Sequence, residues 1–285
     1  MPRISVVTPS YNQAEFIEDT LRSVRNQQYE NVEHVVIDGG SDDGTLDILR
    51  DHDETLRWTS EPDEGQADAV NKGFDMVSGE IIGWLNSDDV YFDTQVFSRI
   101  REYFERYDAD VIYGDIALLD SDSNILKLRC VPKFDYDRLL RGCFIEQPAL
   151  FFRSEVLVNN HLNIDLEYVM DYEFWLRLSR IFSFRHVDDI LAGDRNHPAR
   201  KILSQREAMQ VEASEIATQY GAATGVKYTL GRASDMLASG IPRRIKAIVR
   251  TIQLHRNPPD LAFNGELCSL NEMLTNVSRA NRTLV

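Results

Sequence analysis

The sequence predicts an α/β protein: a mostly parallel sheet flanked by helices, a second part of mixed pattern, and a helical C-terminal extension. Two observations carry this. Strand and helix signals alternate over the first 116 residues, as in βαβ units. That alternation then gives way to hairpin-like strands and short helices, and from about residue 200 the signal is helical.

The elements follow in order. Ile4–Thr8 is a β-branched run ended by Pro9, and 14–27 has helical spacing with Phe16, Ile17, Leu21 and Val24 on one stripe. Val32–Asp38 is a strand closed by Gly39-Gly40-Ser41, and 43–51 a short helix. Leu56–Ser60 is a third strand, Gly65–Val77 a helix, Glu80–Leu85 a fourth strand, 93–106 a helix and Asp110–Tyr113 a fifth strand. Residues 115–130 read as an antiparallel hairpin turning at Asp122-Ser-Asn124. A short helix over 135–141 and a strand over Ala149–Arg153 come next. The helix over 170–181 would point Phe174, Leu178 and Ile181 at the core with Trp175 beside them, and Phe182–Val187 is a strand. Breaks in the helical tail fall at Gly221, Gly240-Ile-Pro242 and Pro258-Pro259. The expected organisation is a domain over 1–200, in halves 1–116 and 117–200, with an extension over 201–285.

The 285 residues carry 31 Lys and Arg against 46 Asp and Glu, a formal net charge of −15. Hydrophobic residues at 43% mark a globular chain, and the acidity opposes a sequence-independent grip on nucleic acid. Residues 1–200 hold 39 acidic and 20 basic residues, whereas 201–285 hold 7 and 11. Asp exceeds Glu, 27 to 19, and Arg exceeds Lys, 25 to 6; a salt-rich cytoplasm and a GC-rich genome both account for that. Three scattered cysteines without CxxC spacing predict neither a disulfide framework nor a zinc site. With no membrane-length apolar run and no signal-peptide plan, the expectation is a cytoplasmic protein; the sequons at Asn276 and Asn281 mean little without secretion.

Polar groups cluster where three strands end: Thr8-Pro-Ser-Tyr11, Asp38-Gly-Gly-Ser41 and Asn86-Ser-Asp-Asp89. Open α/β sheets bind ligands at that edge, although each group alone also suits a cap or turn. Carboxylates at the open end of a strand repel one another unless solvated or bridged by a hard cation, so Asp88 and Asp89 either hold a metal or cap the helix near 93. Gly65 opens a helix whose N-terminus a ligand can approach closely. Walker A, GxGxxG and GxSxG motifs do not occur, which opposes an ATPase, a dinucleotide enzyme and a nucleophile-elbow hydrolase. Asp171 at the start of an amphipathic helix is either a cap or a general base. His197, in the polar turn Asp194-Arg-Asn-His-Pro198, is a surface residue, a phosphate contact or a metal ligand.

Taken together, Ser5-Val-Val-Thr-Pro-Ser-Tyr-Asn12, Val36-Ile-Asp-Gly-Gly-Ser-Asp-Asp-Gly44, Glu61-Pro-Asp-Glu-Gly-Gln-Ala-Asp-Ala-Val-Asn-Lys-Gly73 and Trp84-Leu-Asn-Ser-Asp-Asp89 resemble family 2 glycosyltransferases with the inverting GT-A fold. Tyr113-Gly-Asp115, Gln147-Pro148, Met170-Asp-Tyr-Glu-Phe-Trp-Leu-Arg177 and His197-Pro198 continue the resemblance, over roughly residues 3–200. It implies a Rossmann-like nucleotide-sugar half and a mixed acceptor half. It also implies transfer of a sugar from a nucleotide diphosphate donor, UDP-linked by expectation, to an acceptor hydroxyl of a glycan, polysaccharide or glycolipid. By that resemblance Thr8, Pro9 and Tyr11 line the base pocket and Asp38 bonds the base. Gly65, Gln66 and Asp68 lie along the nucleotide, with Asn86 and Ser87 beside it. Asp88 and His197 hold Mg²⁺ or Mn²⁺, Asp171 is the catalytic base, and Gln147 and Tyr172 meet the acceptor. Two departures stand out: Asn86 replaces the first acid of the DxD motif, and Met170 replaces a common Glu before the base.

A nucleotidyltransferase is the alternative enzyme, but Pro9-Ser-Tyr-Asn12 is not a Gly-rich basic phosphate loop. A sugar-nucleotide-binding relative without catalysis is the alternative non-enzyme; Asn86 favours it, and Asp88 and Asp171 oppose it. The basic amphipathic segment 241–256, with Ile241, Ile245, Ile248 and Ile252 on one stripe, either rests on an anionic membrane near a lipid-linked acceptor or packs on the domain.

Overall fold

The computed structural model describes residues 1–197, 205–222, 243 and 245–279. The sequons' Asn281, the breaker Gly240-Ile-Pro242, Pro198, Ile241 and Arg244 lie outside the described residues. The first half runs β1 (Ile4–Ser10), α1 (Ile17–Arg25), β2 (Val32–Asp38), α2 (Thr45–Asp51), β3 (Arg57–Ser60), α3 (Gln66–Met76) and β4 (Ile81–Trp84). These strands are parallel in the order β3-β2-β1-β4, so the chain turns back on itself between β1 and β4. Their carboxyl ends align: Ser10 pairs with Asp38, Asp38 with Ser60, and Val7 with Trp84. A crevice at such a reversal is where open α/β sheets take ligands.

All seven residues of β1 and all four of β4 are buried, because helices cover both faces. Gly73 lets α3 lie directly against β1: a Cβ there would collide with Val7 Cγ1. Gly73→Ala is expected to destabilise the fold by about 1–3 kcal/mol through overpacking, read as a lower denaturation midpoint with an unchanged slope. An unchanged midpoint would mean that α3 can move off β1 freely.

The second half is mixed, as its pattern predicted. It contains β5 (Val90–Tyr91), α4 (Val96–Arg106), β6 (Val111–Leu119), β7 (Ile125–Arg129), α5 (Tyr136–Arg141), β8 (Leu150–Arg153), α6 (Met170–Leu178) and β9 (Phe184–Arg195). The β6–β7 hairpin forms, with Asp120 Oδ1 accepting from the Asp122 and Asn124 amides at its turn. β8 lies antiparallel to both β4 and β6 and so joins the halves into one nine-stranded sheet. The two largest core clusters form around Phe97, Tyr91 and Phe151 and around Phe74, Phe152, Phe174 and Trp175.

Several expectations change. The strand expected over Phe182–Val187 is twelve residues long and carries Asp194 and Arg195 inside it rather than in a turn. β5, only two residues long, has no period to read; it exists because β9 reaches it, pairing Val90 with Gly193. α6 ends at Leu178, so Ile181 is 70% exposed instead of joining the core stripe.

The tail contributes α7 (Arg206–Gln219), a helix α8 over 245–256, and α9 (Leu270–Arg279). α8 docks on the body through its cations. Lys246 Nζ lies 3.0 Å from Asp115 Oδ2, and Arg250 pairs with the same oxygen. Its apolar stripe points the other way, with Ile245, Ile248 and Val249 exposed. No helix among the described residues is long and apolar enough to cross a membrane.

Candidate active site

The loop after β1 is built to present an aromatic ring. Asn12 sits at φ 52°, a left-handed conformation that Asn tolerates, and Tyr11 before it is 62% exposed. The second strand-end loop locks this one in place. Asn12 N–H donates to Ser41 Oγ at 2.8 Å, Asn12 Oδ1 accepts from Asp42 N–H at 2.9 Å, and Gln13 N–H donates to Thr45 Oγ1 at 2.9 Å. Thr8 and Pro9 are buried, and Thr8 Oγ1 bonds His34 Nε2 at 2.9 Å. Burial pushes the His34 imidazole down to about 3, so this floor is uncharged at physiological pH.

Asp38 organises the neighbouring loop. Oδ2 accepts from the Gly40 and Ser41 amides at 3.0 and 2.9 Å and from Ser60 Oγ at 2.6 Å, while Oδ1 accepts from Ser41 Oγ at 2.5 Å. The residue is fully buried, so in this conformation its carboxylate shapes the pocket wall rather than facing solvent. Asp63, which sequence reasoning passed over, leans across Gly39 and accepts from Gly65 N–H at 2.9 Å. Gly65, at φ 110°, opens α3, and Asp68 steadies that turn by accepting from Glu64 N–H at 3.1 Å and pairing with Lys72. The hydrogen bond donated by the Glu64 N–H, with the Lys72 ammonium, holds the Asp68 carboxyl below its usual range.

Asn86 is oriented without ambiguity. Its Oδ1 accepts from the Trp84 indole N–H at 3.0 Å and from Gln66 Nε2 at 2.8 Å, and an indole nitrogen can only donate. The position that is acidic in a DxD motif therefore has its oxygen engaged by protein donors, which leaves the amide NH₂ for other partners. Ser87 is buried, and its carbonyl accepts from Thr20 Oγ1 on α1 at 2.9 Å.

Asp88 and His197 meet: Oδ2 and Nε2 are 2.9 Å apart. Two ligands on an octahedral ion with bonds of 2.0–2.1 Å lie about 2.9 Å apart, and a carboxylate with an imidazole suits Mn²⁺. The two are joined by a direct hydrogen bond, and they are a carboxylate and an imidazole, donor types that suit such a cation. Neither Asp88 nor Asp89 caps the following helix; Asp93 Oδ1 instead accepts from the N–H of Gln95, the residue just before it, at 2.8 Å. Arg195, which sequence reasoning also missed, braces the loop. Its Nε donates to Asp88 O at 2.8 Å, its backbone N–H to Asp89 Oδ1 at 3.1 Å and its Nη1 to Ser123 Oγ at 2.5 Å, while Nη2 pairs with Asp19. No spacing rule connects residue 195 to 88; only the length of β9 brings them together.

A second set, Asp115, His186 and Asp188, has ligand atoms within 4.8 Å of one another and is of the kind that can hold a metal ion. Lys246 and Arg250 already neutralise those carboxylates, so the charge that would attract a cation is answered by α8. Burial alone would raise the Asp115 carboxyl, but hydrogen bonds from His186 and Val131 N–H and the two cations hold it low.

The acceptor side is carried by α6 and the loop before β8. Val169 is the N-cap of α6, so Asp171 is not the cap. Asp171 is partly buried, its Oδ1 accepts from the adjacent Tyr172 N–H at 2.7 Å, and desolvation pushes its carboxyl up to about 6. The charge of Glu146 reaches it. The next residue, Gln147, donates from Nε2 to Trp84 O, two residues before Asn86, and leaves its buried Oε1 without a protein partner. Glu146 and Gln147 thus link the surroundings of Asp171 to the end of β4 at Trp84. Tyr172 differs from the acceptor contact expected of it: it is buried, and its hydroxyl donates to Leu139 O at 2.8 Å, which packs α6 on α5.

Known proteins resemble this chain in sequence and in fold. An uncharacterized glycosyltransferase of Rickettsia prowazekii is 27% identical over 70% of this chain, and the chain spans 65% of that relative's length. The fold matches Staphylococcus aureus TarS 1–349 in complex with UDP-GlcNAc, with a TM-score of 0.64 at 18% identity, covering 78% of this chain and 68% of that one. It also matches the mannosyltransferase PcManGT from Pyrobaculum calidifontis in complex with GDP-Man and Mn²⁺, with a TM-score of 0.61 at 19% identity, covering 90% and 76%. Both likenesses show a GT-A fold. Residues 5–151 match glycosyl transferase family 2, and the chain belongs to that family.

Proposed function

We propose that the protein is an inverting glycosyltransferase that moves a sugar from a nucleoside diphosphate donor to an acceptor hydroxyl. The observation that carries this reading is Asp171, a partly buried carboxyl raised to about 6 that has no ion pair among the described residues and lies within the electrostatic reach of Glu146, whose neighbour Gln147 bonds the end of β4. A base of that pKa is mostly ionised at neutral pH yet still basic enough to take a proton. The acceptor hydroxyl attacks the anomeric carbon and its proton passes to Asp171. The bond from that carbon to the diphosphate oxygen breaks, and the nucleoside diphosphate leaves with the electron pair. One displacement from the opposite face inverts the configuration.

Tyr11 supplies a face for the base, and the Asn86 NH₂ donates to a ribose or phosphate oxygen. Gln147 Oε1 accepts from a sugar or acceptor hydroxyl. Asp88 and His197 would hold Mn²⁺ or Mg²⁺, which stabilises the departing diphosphate charge when bound. A UDP-linked donor and a glycan or lipid-linked acceptor belong to this proposal. The inward pairing of Lys246 and Arg250 supports a packed α8 over a membrane-bound one.

Thermal shift across UDP-, GDP- and dTDP-sugars with Mn²⁺ tests the reading. Saturation at about 100 times Kd is expected to stabilise the protein by about 2.7 kcal/mol. No shift with any donor would sink it. Tyr11→Ala is expected to weaken nucleotide affinity about tenfold, the scale of base stacking, with melting temperature unchanged; equal affinity would remove Tyr11 from the base pocket.

A further inference from the structure

The C-terminal helix α7 reaches the start of the helix that bears Asp171. Glu212 places both carboxylate oxygens on three consecutive backbone N–H groups: Glu167 at 3.1 Å, Tyr168 at 2.8 Å and Val169 at 3.0 Å. Val169 is the N-cap of α6 and brings no side-chain cap of its own. Helix starts favour negative charge, and Val169 N–H lies at that start while Glu167 and Tyr168 lead into it, so Glu212 fixes the entry to α6 from another element. Two residues further on stands Asp171. The residue that ends α7 holds the next turn of α6, since Tyr220 OH donates to Glu173 Oε1 at 2.5 Å, a carboxylate that Arg177 of α6 itself also grips. The catalytic helix is therefore clamped from the tail at its first residues and at mid-length.

We propose that Glu212 is a positioning residue for the catalytic base, so that the C-terminal extension completes the active site; this rests on the reading of Asp171 as that base. Glu212 is partly exposed, so water can take over its three hydrogen bonds when it is removed and the fold survives. What water does not supply is a rigid entry into α6, and small displacements of a reacting group are costly in rate.

Glu212→Ala is expected to lower kcat about tenfold or more, with the donor dissociation constant and the donor KM unchanged and the melting temperature within a few degrees. Glu212→Gln, which keeps one acceptor oxygen, is expected to recover part of kcat. Asp171→Asn is measured beside them. If Asp171→Asn is inactive while Glu212→Ala keeps full kcat, the positioning role is overturned and the base assignment stands. If Glu212→Ala loses donor binding in step with kcat, its role is structural and the inference fails. If Asp171→Asn turns over normally, the base assignment falls and the positioning role falls with it.

Discussion

Asp171→Asn is expected to lower turnover by about 10²- to 10⁴-fold, the range typical of a lost general base, while raising thermal stability at neutral pH. Both effects have one cause. Burial raises the folded-state carboxyl to about 6, above its unfolded value near 3.9, so the folded protein binds the proton more tightly than the unfolded chain. Stability from this group is fully present below the unfolded value and is lost as pH rises through about 6. Asn carries no charge to desolvate. The gain should therefore be about 1–3 kcal/mol at pH 7.5 and close to nothing at pH 4. Denaturation at the two pH values reads this directly. For the unmodified protein, kcat should fall as pH drops below about 6. A destabilised Asp171→Asn variant with normal turnover would make Asp171 a structural residue.

Asp88→Ala is expected to abolish the stimulation of nucleoside diphosphate binding by Mn²⁺ and to lower transfer by about 10²-fold or more, the scale of losing a principal electrostatic stabiliser. Calorimetry of UDP binding with and without Mn²⁺ separates the metal's share from that of the base pocket, because Tyr11 and Thr8 remain in place. The substitution leaves His197 with its ring against Phe16, at a centroid distance of 4.5 Å, so the histidine should stay put. Melting temperature should change little, since the Asp88 backbone remains bonded to Arg195. Full transfer in EDTA by the unmodified protein would remove the cation from the mechanism altogether.

Much of the first half was legible in the sequence because its elements are local. β1, β2 and β4 are β-branched runs of strand length, and the helices between them carry apolar stripes, so period and punctuation suffice. The strand-end clusters could be read as one edge because βαβ handedness and parallel order leave little choice of topology. The acceptor side was harder. β9 needed its pairing with β6 and β5 to extend to Arg195, and β5 exists only in that pairing. Ile181 looked like core because it continued the helical period, and nothing local marked the end of α6 at Leu178. Tyr172 lay beside Asp171 in the sequence, but a helix turns adjacent residues about 100° apart, and the ring went inward.

The acidity has the same two-part character. Charge arithmetic placed the excess in residues 1–200, yet it could not say which acids have partners. Asp115 looks like one acid among many until α8 lays two cations on it. Asp171 looks like a helix cap until Val169 is seen to hold that place. What the sequence by itself determined is the order of strands and helices, the edge where the polar groups gather, and the residue types at that edge. These follow from side-chain periodicity and turn chemistry, which act over a few residues. Only the tertiary structure decided that Asp88, which the family resemblance places on one metal with His197, bonds that histidine directly, that Arg195 braces the loop of Asp88 and Asp89, and that Glu212 holds the entry to the helix of Asp171. Each of those contacts joins residues 40 to 110 positions apart, and such partners are chosen by packing, on which local pattern is silent.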